Sequence, residues 1–261
     1  MAVACGRLAL IITSGGEVER QLELSASGVG PAVHQAIQLA WLDSDVLAAA
    51  CPGLGMRTWI DRGSRRGPIE SNYNPSQLAV SASHQHVAAA CGQQVLVWSL
   101  HWQDDASDCG AHQSRLGDYD AEVTCLDWDS SSRLLATAEG AEATVWDMQA
   151  VKLLGGDRRH TIVCCGHEAR SQIVGLAFQT DGPLLATCAS DSQVLLFDSA
   201  AFNPGSVSSP IAATHLGAAG MASIIKWMAG GTLVLCQWGS CALPWRGSCC
   251  AATSSVHQSR P

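Results

Sequence analysis

The sequence predicts an all-β fold made of about six repeats of one small antiparallel sheet. Three observations predict it. An apolar phrase recurs: residues 78–100 read LAVSASHQHVAAACGQQVLVWSL, residues 125–148 read CLDWDSSSRLLATAEGAEATVWDM, and residues 176–199 read LAFQTDGPLLATCASDSQVLLFDS. Each copy runs strand, polar turn, small-residue strand, tight turn, and a strand ending in an aromatic residue. The closing positions Ile12, Trp59, Trp98, Trp146, Phe197 and Trp245 fall 47, 39, 48, 51 and 48 residues apart. Finally, LLAT, VLVW and VLLF are continuous apolar runs, as expected of strands packed on both faces rather than one.

Taken in order, residues 1–12 (MAVACGRLALII) supply the back half of a first copy, and residues 39–60 (LAWLDSDVLAAACPGLGMRTWI) a second. The three copies above follow. Residues 225–245 (IKWMAGGTLVLCQWGSCALPW) keep the plan with a looser end. A four-stranded sheet cannot bury both its faces alone, whereas sheets stacked around an axis bury them against neighbours. The chain resembles the WD-repeat β-propeller family over residues 1–245, read as a single domain, with 246–261 as a disordered C-terminal tail. Gly166-His167 followed by Phe197-Asp198 matches the family's opening Gly-His and closing Trp-Asp. The resemblance implies a structural hydrogen-bond network through His167, Asp191 and the closing aromatic. Phe197 has no indole N–H, so that network is expected to be partial. The phrases CLDWDSSSRLLATAEG and GLAFQTDGPLLAT look like a divergent, bacterial-type WD-repeat group of ill-defined function, some members of which neighbour metal-chaperone GTPases.

The first copy lacks its first strand and the last copy its outer one. The expectation is therefore an open arc of about six blades, part of a seven-bladed ring. A second chain, or sequence upstream of Met1, would complete it, and open blade edges invite self-association.

Composition narrows the function classes. Of 261 residues, 47% are hydrophobic and 15% charged, as in a packed globular protein. The net charge of -8 argues against nucleic acid as a partner. The early apolar run, Leu8 to Ile12, is short for a signal peptide. The apolar span 217–245 carries Lys226 and fits the repeat better than a membrane helix. Twelve cysteines include no C-x-x-C pair. Cys51, Cys91, Cys125, Cys188 and Cys236 sit in or beside apolar runs, so buried thiols in a reducing compartment are expected: the cytoplasm, with the nucleus also compatible.

Residues 61–75, 101–120, 155–172 and 199–216 read as long connections from the last strand of one blade to the first of the next, on one face. Arg65, Arg66, Arg158 and Arg159 are expected at that rim with Tyr73 and Tyr119 nearby, since arginine and tyrosine are enriched at interaction hot spots. His84, His86 and His101 are a possible zinc set, and Asp104, Asp105 and Asp108 a cation set. Cys164-Cys165-Gly166-His167 is a possible nucleophile pair. Each reads more simply as a turn, a solvated loop and a repeat-opening motif, and no P-loop or G-x-S-x-G is present. No cofactor and no catalysis are expected. The sequence points to a protein-interaction platform presenting loops to a protein partner, with no membrane association. The alternative is an enzymatic or metal-handling propeller with a polar site in its central channel.

Overall fold

A computed structural model of the chain describes residues 2–5, 8–23, 38–42, 46–51, 55–60, 65–71, 73–101, 110–117, 119–154, 161–216, 222–228, 230–237 and 251–252. The described strands form sheets in sequence order, within two compact units, Met1–Arg115 and Leu116–Pro261.

The first unit opens with a three-stranded sheet of β1 (Ala2–Cys5), β2 (Leu8–Ile12) and β3 (Val18–Glu23). A second sheet follows: β4 (Gln38–Trp41), β5 (Leu47–Cys51), β6 (Gly55–Ile60) and β7 (Arg65–Ser71). The third is β8 (Gln77–Val80), β9 (His86–Ala90), β10 (Val95–His101) and β11 (Gly110–Leu116). Successive side chains on a strand point to opposite faces, and both faces are covered here. Leu47 and Ala49 pack with Ala9, Ile11 and Leu22 of the first sheet. Ala48, between them, packs with Val87, Ala89 and Trp98 of the third. The alanine-rich second strands let neighbouring sheets approach closely. Leu47 is fully buried, a contribution of about 1.5–3 kcal/mol. Gln38 ties the innermost strands together: its Nε2 donates to Gln77 Oε1 at 2.9 Å and its Oε1 accepts from the Leu78 N–H at 2.6 Å.

The second unit repeats the plan. Its first sheet holds β12 (Val123–Trp128), β13 (Leu134–Glu139), β14 (Glu142–Asp147) and β15 (Ile162–Cys164), with the short helix α1 (Met148–Leu154) after β14. The next holds β16 (Ile173–Phe178), β17 (Leu184–Ala189), β18 (Gln193–Asp198) and β20 (Ala212–His215). Before β20, the two-residue β19 (Val207–Ser208) crosses back and pairs in parallel with β15 as a fifth strand of the preceding sheet. The last sheet holds β21 (Ala222–Met228), β22 (Thr232–Gln237) and β23 (Ala251–Ala252). Alternation holds again: Leu185 and Ala189 pack with Ala136, Val145 and Ile162 on one side. Ala186 and Cys188 pack with Ile225, Leu233 and Leu235 on the other. The register slips at the same point of three consecutive first strands, between Val123 and Cys125, Ile173 and Gly175, and Ala222 and Ile224. At the second of these a Cβ on Gly175 would meet Cys188 Sγ at 2.7 Å and Ile225 Cγ2 at 2.9 Å, so close sheet packing requires glycine.

The long connections differ from expectation. Each contains the fourth strand of its own sheet: β7 within 61–75, β11 within 101–120, β15 within 155–172, β20 within 199–216. β7, β11 and β20 close their sheets and lack the apolar run that betrays the inner strands, while β15 is apolar but only three residues long and has β19 along its outer edge. In the sheets ending in β11, β15 and β20 the longer gap therefore falls between third and fourth strands, at the end of the sheet opposite to the one assigned. The apolar span 217–245 contributes β21 and β22. No helix among the described residues is long and apolar enough to cross a membrane. Within the expected tail, Ala251–Ala252 pair with Leu235 and Cys236. The closing Trp245 lies outside the described residues.

Candidate functional site

The polar chemistry of the second unit gathers in its first two sheets. The loop before β16 carries His167, and the tight turn between β17 and β18 carries Asp191. His167 Nδ1 lies 3.0 Å from Asp191 Oδ2, and its Nε2 lies 2.9 Å from the Thr187 hydroxyl. Asp191 also accepts the N–H groups of Glu168 at 3.1 Å and Gln193 at 3.0 Å. Burial alone would raise the Asp191 carboxyl. The Gln193 and Glu168 amides and the His167 ring outweigh it and hold the carboxyl below its ordinary range.

A hydroxyl, an imidazole and a carboxylate in this order match the connectivity of a nucleophile relay. Access argues otherwise. The His167 and Asp191 side chains are each 1% exposed, and Thr187 is fully buried. A substrate cannot reach the hydroxyl, so the relay clamps the loop before β16 to the sheet.

The preceding sheet solves the same problem with other residues. Trp146, fully buried, donates its indole N–H to Tyr119 Oη at 2.9 Å and to Thr137 Oγ1 at 3.2 Å. Tyr119 and Thr137 share a further hydrogen bond of 2.8 Å. Glu139 accepts the Asp120 and Ala121 N–H groups at 2.9 and 3.2 Å, fixing the same loop. At the other end of the sheet, Arg133 donates from Nε and Nη2 to Asp147 Oδ2 at 3.0 and 2.6 Å, while Asp147 Oδ1 caps α1 through the Gln149 N–H.

A third polar contact crosses between these sheets. Asp127 on β12 accepts the Phe178 N–H of β16 at 2.7 Å. Burial pushes its carboxyl up to about 6, against the opposing pull of the Phe178 and Trp128 amides and of Lys226 on β21, with Asp129 adding to the rise.

The profile of WD40 (WD domain, G-beta repeat) matches residues 111–147 and 158–198, the stretches that carry both buried networks. Solved structures of similar fold include a chain of the mitotic checkpoint complex (TM-score 0.65, 14% identity, 90% of this chain and 66% of that one). Others are the C-terminal WD40 domain of Sif2 (0.64, 14%, 87% and 60%) and Hsv2 of Kluyveromyces lactis (0.65, 13%, 88% and 71%). Residues 111–147 and 158–198 are matched as WD40 repeats, and the chain has the fold of WD-repeat β-propellers. At these identities the likeness to solved structures is one of fold, and the chain spans less than two thirds of the length of the first two. No curated protein matches the sequence.

The two matched repeats carry tryptophan and histidine separately: Trp146 stands without a histidine, and His167 with Phe197 in the tryptophan's place. The sequence pattern did not single out Thr137 or Thr187. The two threonines were legible as the shared ending of the LLAT phrase. Tyr119 is corrected outright: it is 5% exposed and bonded inside the sheet, not displayed at a rim. Arg65 and Arg66 belong to strand β7, opposite Ile60 and Trp59, rather than to a loop. Arg158 and Arg159 lie outside the described residues. Tyr73 is 47% exposed.

The remaining candidates do not assemble. His84 is exposed in a turn with φ 57°, and His86 Nδ1 faces Ser99 Oγ at 3.1 Å. Asp104, Asp105 and Asp108 lie outside the described residues. No group of metal-ligating side chains forms among the described residues. Burial pushes the Cys164 thiol up to about 12, and both ring nitrogens of His167 are engaged elsewhere, so a thiolate–imidazole pair does not form there.

Proposed function

We propose that this WD-repeat chain is a non-catalytic interaction platform that binds a protein partner through exposed apolar side chains on its sheet rims. The observation that carries this reading is the contrast between buried polar chemistry and exposed apolar surface. His167, Asp191 and Thr187 are sealed inside a sheet. Val207 and Ile211 stand 68% and 58% exposed on a stretch, 199–216, that contains no Asp, Glu, Lys or Arg. Uncharged surface of this kind favours protein contact over nucleic acid. WD40 neighbours of the chain include one solved within an assembly, the mitotic checkpoint complex, which supports the same class of role. Cys91, Cys125, Cys164, Cys165 and Cys188 are free thiols, in keeping with a reducing, cytoplasmic setting.

The test is comparative affinity capture from native extract with wild-type bait and with Val207→Asp and Ile211→Asp baits. Proteins retained by the wild type and lost from both variants support the reading. An identical set on all three baits removes this surface from the proposal.

A further inference from the structure

The connection from β18 to β20 does more than join two strands. After the short 3-10 turn Ser199–Ala201 it leaves its own sheet, lies along the rim of the preceding one, and returns at Ile211. Its hold on that rim consists of short backbone contacts: Gly205 N–H to Thr161 O at 2.8 Å, Val163 N–H to Ser206 O at 3.0 Å, and Cys165 N–H to Ser208 O at 3.3 Å. Side chains along the strap are largely in solvent: Asn203, Pro204, Val207, Ser209 and Ile211 are exposed.

Near the end of the strap, two residues before its return at Ile211, stands Ser209, exposed and followed by Pro210. Of the nine prolines in the chain, Pro210 alone follows a serine or threonine. Proline restricts the residue before it to extended backbone, the conformation in which protein kinases take their substrates. The Pro210 ring rests over Gly166, where a Cβ would lie 3.2 Å from its Cγ and Cδ. Glycine at 166 therefore leaves room for the proline to anchor one end of the strap while Ser209 faces outward.

We propose that Ser209 is a phosphorylation site for a proline-directed protein kinase using ATP. In the reaction the Ser209 Oγ forms a bond to the γ-phosphorus, the bond from that phosphorus to the ADP oxygen breaks, and the hydroxyl proton passes to the kinase's base. No basic residue follows within three positions of Pro210, so the kinase is of the class that reads a minimal Ser-Pro pair. The product places a charge of about −1.5 to −2 on a strip that otherwise has no acidic or basic side chain.

The test treats the folded full-length chain with a purified proline-directed kinase of that class and ATP, then maps phosphate by peptide mass spectrometry. Phosphate at Ser209 in the native chain, lost in Ser209→Ala and lost in Pro210→Ala although Ser209 remains, is the expected result. The proposal is overturned if the native chain takes up no phosphate at Ser209, or if Ser209 is modified only after heat unfolding. It is equally overturned if modification of Ser209 survives Pro210→Ala.

Discussion

Asp127→Asn should stabilise the protein at neutral pH and leave it nearly unchanged in mild acid. The carboxyl of Asp127 sits between two sheets and titrates near 6 instead of at its ordinary 3.8, chiefly because burial penalises the charge. That displacement corresponds to a penalty on the ionised form of about 3 kcal/mol. The sign follows from linkage. The folded state holds the proton more tightly than the unfolded chain, so stability from this residue falls as pH rises from about 4 to about 6 and stays low above that. Asparagine keeps an oxygen for the Phe178 N–H at the 2.7 Å position and carries no charge. Its extra N–H group needs a partner of its own, which trims the gain to about 1–2 kcal/mol. For a chain of this size that is a rise in Tm of about 2–8 °C. Asp127→Ala serves as the opposite control: it abandons the Phe178 N–H and should cost about 1–3 kcal/mol relative to Asp127→Asn. Paired thermal melts at about pH 4.5 and about pH 7.5 read the result. A variant–wild-type difference that is the same at both pH values would refute the argument from buried charge, whatever its sign.

Four further outcomes are expected. Tyr119→Phe removes the hydroxyl shared by Trp146 and Thr137 and should cost about 1–2 kcal/mol in urea unfolding, because the buried indole N–H keeps only its longer bond. His167→Ala strips Asp191 and Thr187 of a buried partner and should cost about 1–3 kcal/mol by the same measurement; an unchanged midpoint would mean the loop before β16 is held by other contacts. Gly175→Ala drives a methyl to 2.7 Å from Cys188 Sγ and should cost about 1–3 kcal/mol, seen as a lower Tm. Asp147 and Asp191 titrate below the ordinary carboxylate range; the stability they supply should be complete above about pH 4 and lost below it, so Asp147→Asn and Asp191→Asn should flatten the acid limb of a Tm–pH profile.

The inner strands were legible because burial on both faces imposes unbroken apolar runs, and LLAT at β13 and β17 shows it directly. The rim strands were not. RRGPIES of β7 and GAHQSRL of β11 carry glycine, proline and charge, as strands at a solvent edge do, and nothing in their composition separates them from loops. The histidine network was legible through Gly166-His167 because its members occupy the positions the resemblance assigns. Tyr119 was not legible, since it reaches across 27 residues to Trp146 from a place that no repeat motif marks. The rim reading of the arginines failed with it: once the fourth strand falls inside a supposed loop, Arg65 and Arg66 become ladder residues.

The two networks show why a diverged repeat still folds. Thr137 and Thr187 occupy equivalent places on β13 and β17, and each is fully buried, so each hydroxyl must find partners. In the later sheet the partner is an imidazole reaching in from the preceding loop, and Phe197 needs only to fill space. In the earlier sheet the donor is the Trp146 indole, and a phenol from the preceding loop completes it. Gly117 sits 50 residues before His167, where the repeat would place the histidine. A Cβ there would lie 3.1 Å from both the Trp146 and the Tyr119 rings. The space a histidine would use is already taken by the two aromatic rings, so glycine at 117 and tyrosine at 119 are one substitution in physical terms. What the fold demands at this point is a satisfied threonine hydroxyl and a tethered loop, and two different residue sets meet that demand.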